Sequence, residues 1–301
     1  MAPLGYDELT RQTVLYDGTH TWILLGDSWQ LQPTVTTPGA VRTATTVNAG
    51  MAYDPQSRRL LMYVRGLQPT CVPPHSDLGQ PCGAYRKPQT WGWDGRDWHL
   101  FPGVAPDDGI DIALDRSSNR PLLLSRAAGA CGTRTWLWTG ARWVEARGTD
   151  PPLTAASTAE LSSEPRTGGV LMVSATPPGA SVKFKGCPIS DTTWLWTGGA
   201  WHDTHVAGPA VLTAQSAALG PDLAGRRVLM VTQRAQTWSW NGTSWSRLRP
   251  AHAPSERIGP ALCWDGARDR LLLVGGLGAG PPLQRADTWS WTGSDWLRLS
   301  A

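Results

Sequence analysis

The sequence predicts an all-β fold, a six-bladed β-propeller of four-stranded antiparallel blades, on three observations. The string T-W-x-x-x-G-x-x-W occurs six times, with first tryptophans Trp22, Trp91, Trp136, Trp194, Trp238 and Trp289 about 53 residues apart on average. Between these strings an acid keeps a fixed register at Asp7, Asp54, Asp115, Glu164, Asp222 and Asp265, and a short apolar strand begins six residues after each. The composition, 33 Gly, 25 Pro and 18 Trp against 2 Phe in 301 residues, is that of a turn-rich β chain with indole as its large core filler. It excludes a coiled coil, a helical bundle and a disordered tail.

Each tryptophan string reads as a hairpin. Trp at i and i+2 follows the period of a strand, and the Gly ahead of the last Trp supplies the positive φ of a tight turn. The acid unit reads as a second hairpin, with a small residue two positions before the acid and a mostly large apolar one three before it, so both sheet faces are packed. Blade 1 (1–35) joins a short first strand, Ala2 to Tyr6, and TVLYD to Trp22 and Trp29. Blade 2 (36–103) carries LLMYV and, after the longest insertion, Trp91 and Trp98. Blade 3 (104–148) carries PLLLS with Trp136 and Trp143, and blade 4 (149–207) carries VLMVS with Trp194 and Trp201. Blade 5 (208–250) carries VLMVT with Trp238 and Trp245, and blade 6 (251–301) carries LLLVG with Trp289 and Trp296.

With this repeat length, an aromatic followed seven residues later by Trp in all six copies, and Gly275–Gly276 ending a second strand, the chain resembles the kelch-repeat and galactose-oxidase-type propellers. The resemblance covers the whole chain, with Trp where that family has Tyr and one surviving double Gly. It implies a fold and little more, because the matched residues are framework.

Loop arithmetic places function on one face. Both hairpins have invariant length, whereas the interval from second-strand start to first Trp runs from 9 to 31 residues and that from last Trp to next acid from 17 to 25. In an up-and-down blade these two variable connections emerge at the same end. Variable loops on a rigid scaffold are where binding residues concentrate.

The net charge of +3 is spread without a basic stripe, which argues against nucleic acid as a partner, and no apolar run is long enough to span a bilayer. Only Lys87, Lys183 and Lys185 are lysines among 27 basic residues, the coding bias of a GC-rich bacterial genome. Cys71 and Cys82 lie in the long blade 2 segment, Cys131 and Cys187 in the corresponding segments of blades 3 and 4, and Cys263 on an inner strand. Two bridges, Cys71–Cys82 and Cys131–Cys187, are favoured, although four cysteines allow 3 connectivities. Bridges imply an oxidising, extracytoplasmic compartment and an export or anchor segment removed or replaced at Met1; free cysteines would imply the cytoplasm. Neither metal-ligand spacing nor a cofactor motif is present, so no metal and no cofactor are expected. A galactose-oxidase copper site would need a Tyr and His ligand set, yet Tyr6, Tyr16, Tyr53 and Tyr63 occupy repeat-frame positions and only Tyr85 stands outside the frame.

One constellation breaks the repeat. Four residues before the acid, the other blades have Pro3, Gly50, Ala218 and Ala261, whereas blades 3 and 4 have Asp111 and Glu160; eleven after it, blades 2 and 3 have Arg65 and Arg126. Together with Asp107 and Asp108 these residues would line a charged pocket at the channel mouth, or form an ion-pair network closing gaps between blades. Two functions compete. The first is a binding module for a protein, peptide, glycan or small anionic ligand at the variable face. The second is an enzyme, a hydrolase, lyase or cyclase of specialised metabolism, with Asp111 and Glu160 as acid and base and Arg65 and Arg126 holding an anionic substrate. A deep pocket with converging acids would favour the second, a shallow loop-built surface the first.

Overall fold

The computed structural model describes residues 2–39, 49–66, 87–127, 131–148, 150–153, 157–176, 192–209, 217–278 and 283–300. Among them all regular elements are β-strands, and each sheet has four strands in sequence order. The first sheet holds β1 (Leu4–Asp7), β2 (Gln12–Tyr16), β3 (Thr21–Leu25) and β4 (Ser28–Gln32). The second holds β5 (Ala49–Asp54), β6 (Arg59–Val64), β7 (Gln89–Trp93) and β8 (Trp98–Leu100), and the third β9 (Gly109–Asp115), β10 (Arg120–Arg126), β11 (Thr133–Trp138) and β12 (Trp143–Glu145). The fourth comprises β13 (Thr158–Ser163), β14 (Val170–Ala175), β15 (Thr192–Thr197) and β16 (Ala200–Ala207). The fifth comprises β17 (Ala217–Asp222), β18 (Arg227–Thr232), β19 (Thr237–Trp240) and β20 (Trp245–Arg247), and the sixth β21 (Ala261–Asp265), β22 (Arg270–Val274), β23 (Thr288–Trp291) and β24 (Trp296–Ser300). This is a six-bladed β-propeller.

The acid of each inner hairpin is buried, and in blades 1 to 5 it accepts from backbone N–H groups of its own turn, whereas Asp265 is held by the side chains of Arg268 and Arg270. Asp54, for example, accepts from Gln56 N at 3.0 Å and from Ser57 Oγ at 2.6 Å, and Glu164 accepts from Thr167 N at 2.8 Å. Four residues after the acid the backbone enters the left-handed region in every blade, at Arg11, Arg58, Asn119, Gly168, Arg226 and Asp269. Only one of these is glycine, so the acid's hydrogen bonds hold a conformation that most side chains resist.

The tryptophan strings explain themselves across blades. The last Trp of each blade donates its Nε1–H to the buried Thr that opens the string of the preceding blade. Trp98 donates to Thr21, Trp143 to Thr90, Trp201 to Thr135, Trp245 to Thr193 and Trp296 to Thr237, all at 2.8–2.9 Å. Trp29 donates to Thr288 at 2.8 Å, so the same bond joins blade 1 to blade 6 and closes the ring, with no strand shared between them. The middle tryptophans Trp93, Trp138, Trp196, Trp240 and Trp291 are buried between blades; the first ones are buried only at Trp91 and Trp194 and half-buried elsewhere.

Packing near the axis follows a small-against-large rule, as a tapering barrel requires. The small residue two before the acid faces the next blade, where it meets the large residue three before that blade's acid. A Cβ on Gly5 would stand 2.9 Å from the Cβ of Met51, and one on Gly220 would stand 2.7 Å from that of Leu262. The side chain four before the acid lies on the same side as the small residue and is therefore also aimed at the next blade.

Candidate functional site

The inner strands β1, β5, β9, β13, β17 and β21 enclose a central channel with a cavity of about 160 Å³. These strands end at the invariant acid turns, so they begin at the variable face. At that end the wall is Pro3, Gly50, Ala218 and Ala261 together with Asp111 and Glu160. At the opposite end Tyr6, Tyr53, Leu114 and Trp264 narrow it, and Arg116 reaches from blade 3 to Glu8 of blade 1 at 2.8 Å. The wall thus carries four short side chains with the two carboxyls at the variable face, and large side chains at the opposite end.

Asp111 faces blade 4. Its Oδ1 accepts from Ile112 N at 2.8 Å and its Oδ2 from Leu161 N, on blade 4, at 2.7 Å. That second bond brings it beside Glu160, the residue before Leu161. Burial raises Asp111 to about 6 despite both hydrogen bonds. Glu160 is raised well above the usual carboxylate range, by burial first and by the Asp111 charge second. Among the described residues no hydrogen bond reaches the Glu160 carboxyl, and Arg116, paired with Glu8 at the far end, is the basic residue of the channel wall. The two acids share one cavity, and the N-terminal ammonium only partly offsets the rise of Glu160.

Arg65 and Arg126 do not join them. Arg65, just past β6, pairs with Asp108 at 3.4 Å, and its Nε is buried without a partner. Arg126 turns to blade 4, where its guanidinium donates to the Ser157 carbonyl, while its own N–H donates to the Asp108 carbonyl at 3.0 Å. A bulge explains the separation: Leu124 pairs with Asp111, but Ser125 pairs with Gly109, so the ladder skips Ile110 and lifts Arg126 towards Asp108. Asp107 and Asp108 sit on an exposed turn pinned by Tyr63, whose hydroxyl donates to the Pro106 carbonyl at 2.7 Å and accepts from Gly109 N at 3.0 Å. Gly109 is obligatory there, since a Cβ would stand 2.4 Å from the Tyr63 ring. The six residues thus form two groups, an acid pair in the channel and an arginine cluster on the rim.

Of the cysteines, Cys263 is a buried free thiol in the channel wall, raised by burial, and Cys131 is engaged with a partner. Cys71, Cys82 and Cys187 lie outside the described residues, as does Tyr85. One buried pair escaped sequence reasoning. Arg257 and Asp287 make a bidentate contact at 2.6 and 3.0 Å inside blade 6. Neither residue recurs in the repeat frame, so no periodic signal marked them. Among the described residues no group of three or more His, Cys, Asp or Glu converges as a metal site would, and no helix is long and apolar enough to cross a membrane.

No protein-family model and no curated protein matches the chain. Solved structures do. A mutant of AofleA from Arthrobotrys oligospora superposes with a TM-score of 0.61 at 14% identity, over 100% of this chain and 87% of that one. The Aleuria aurantia lectin, as a mutant bound to a fucosyl-GlcNAc disaccharide, superposes with a TM-score of 0.57 at 12% identity, over 99% and 94%. A gluconolactonase from Xanthomonas campestris gives 0.55 at 15%, over 91% and 82%. At such identities the likeness shows a shared six-bladed propeller, and the neighbours include both glycan binders and an enzyme.

Proposed function

We propose that this propeller is a recognition module that takes a glycan, peptide or protein at its variable face, with Asp111 and Glu160 as the polar anchor inside the channel mouth. The observation that carries the reading is their convergence on the channel cavity, where burial raises both. Two desolvated carboxyls cost several kcal/mol unless something answers them. A ligand hydroxyl or amine does so: Glu160 in its neutral form donates, and Asp111 and the ionised form accept. The lectin neighbour agrees with a glycan, though only at the level of fold. A second reading, a hydrolase, lyase or cyclase, is favoured by one specific fact: Asp111 is raised to about 6 beside a second carboxyl that is also raised, a pairing from which a general acid and base can be drawn. With the arginines on the rim, an anionic substrate would not be held at the acids themselves.

The test is a glycan and peptide array with hits titrated by calorimetry and assayed for turnover. Glu160→Gln and Asp111→Asn should each weaken a hit about tenfold or more, on the scale of one lost charged hydrogen bond, whereas Asp54→Asn should lower stability and leave affinity in the folded fraction intact. A ligand bound equally by all three variants overturns the reading, and product formation selects the enzyme.

The repeat is taken as a kelch-like variant, and the four variable-face cysteines as Cys71–Cys82 and Cys131–Cys187 bridges in an exported bacterial protein. The engaged state of Cys131 supports this. Nonreducing mass measurement should show the loss of four hydrogens with Cys263 free; five free thiols after purification in air would remove both bridges and the extracytoplasmic assignment.

A further inference from the structure

We infer that Arg65 and Arg126 form a separate oxyanion-binding subsite on the channel rim, and that Asp108 occupies it as an internal stand-in for a ligand carboxylate or sulfate. Two guanidiniums carry ten N–H donors between them. Their side-chain partners among the described residues are one carboxylate, Asp108 at 3.4 Å from Arg65, and one carbonyl, that of Ser157. The Nε of Arg65 is buried with nothing to bond. Burial and the neighbouring Arg65 charge lower Arg126, and Asp108 only partly offsets them. The guanidinium donors at this point therefore outnumber the acceptors that reach them among the described residues, and planar forks of this kind match oxyanions.

Asp108 has the features of a displaceable group. Its side chain is 52% exposed, its backbone is in the left-handed region with φ of 49°, and its contact with Arg65 is longer than a charge-assisted hydrogen bond. The platform around it is fixed. Tyr63 clamps Pro106 and Gly109, and the Asp108 carbonyl is held by Arg126 N, so the carboxylate can swing out while the backbone stays. Neither arginine fills a repeat-frame role, since the equivalent positions in the other blades are Gly18, Ala175, Gln233 and Gly276.

The subsite is independent of the acid pair and is tested without knowledge of the natural ligand. Sodium sulfate and sodium acetate are titrated into the whole chain against sodium chloride at constant ionic strength, followed by calorimetry and by melting temperature. Glucuronate and a 6-sulfated N-acetylglucosamine are then compared with their neutral parent sugars. Saturable oxyanion binding is expected in the wild type, lost in Arg65→Gln, and tightened about tenfold in Asp108→Asn because the competing charge is gone. The sugar arms decide between sulfate and carboxylate. Asp108→Asn with unchanged affinity, or with a lower melting temperature and no saturable oxyanion binding, overturns the proposal and leaves a structural ion pair. Sulfate and acetate carry no hydroxyl or amine for the channel acids, so their binding separates failure here from failure of the channel reading.

Discussion

At the scale of single residues, Glu160 and Asp111 are costly to the fold. Each is held above its ordinary value, so the folded chain binds protons more tightly than the unfolded chain. For Asp111 the window runs from 3.8 to about 6, and for Glu160 it opens upward from 4.5. Within it the folded state holds the extra proton, and stability falls as pH rises. A residue such as Glu160, which opposes folding at neutral pH and whose carboxyl accepts no hydrogen bond among the described residues, fits a ligand contact better than a brace. The existence of this pair was legible in the sequence, because both positions break a column of Pro, Gly and Ala. Its orientation was not. Asp111 is satisfied by backbone N–H groups across the blade interface, a bond set by three-dimensional proximity of Leu161, and the bulge that lifts Arg126 away leaves no mark in the repeat spacing. A second residue-scale prediction concerns the left-handed turn position. Arg226 is exposed with φ of 48°, and Arg226→Gly should raise stability by about 0.5–1 kcal/mol in urea unfolding, the left-handed penalty less the entropy of the added glycine. An unchanged or lowered midpoint would show that Asp222 and its turn already absorb that cost.

At the scale of elements, the hairpins were readable because each leaves a periodic trace, the Gly of the outer turn and the acid of the inner one. The Thr ahead of each first Trp was visible only as part of a string. Its reason is the bond from the next blade, and a partner at a sequence distance of 52 to 77 residues between successive blades has no local signature. Removing the acceptor leaves a buried indole N–H unsatisfied, which costs about 1–3 kcal/mol. Thr237→Val should therefore destabilise by that amount, since Trp296 is almost wholly buried, and Thr288→Val should cost less because Trp29 is only half-buried. Equal, negligible losses in chemical denaturation would reduce these bonds to incidental contacts.

At the scale of the whole molecule, one bond type and one packing rule repeat around the ring and close it between the first and last blades. That uniformity makes the departures informative: the framework needs neither the acids of blades 3 and 4 nor the arginines of blades 2 and 3. The architecture itself is shared by lectins and a gluconolactonase, so the fold does not choose between binding and catalysis, and the departures carry the functional argument. The central claim is that the Asp111–Glu160 pair is a costly pair of buried acids kept for a ligand. Equilibrium urea unfolding of the wild type and Glu160→Gln at pH 4.5 and pH 7.5 tests it directly: the variant should be more stable than the wild type at the higher pH, with the gain shrinking at the lower, whereas a variant less stable at both would show that Glu160 braces the fold.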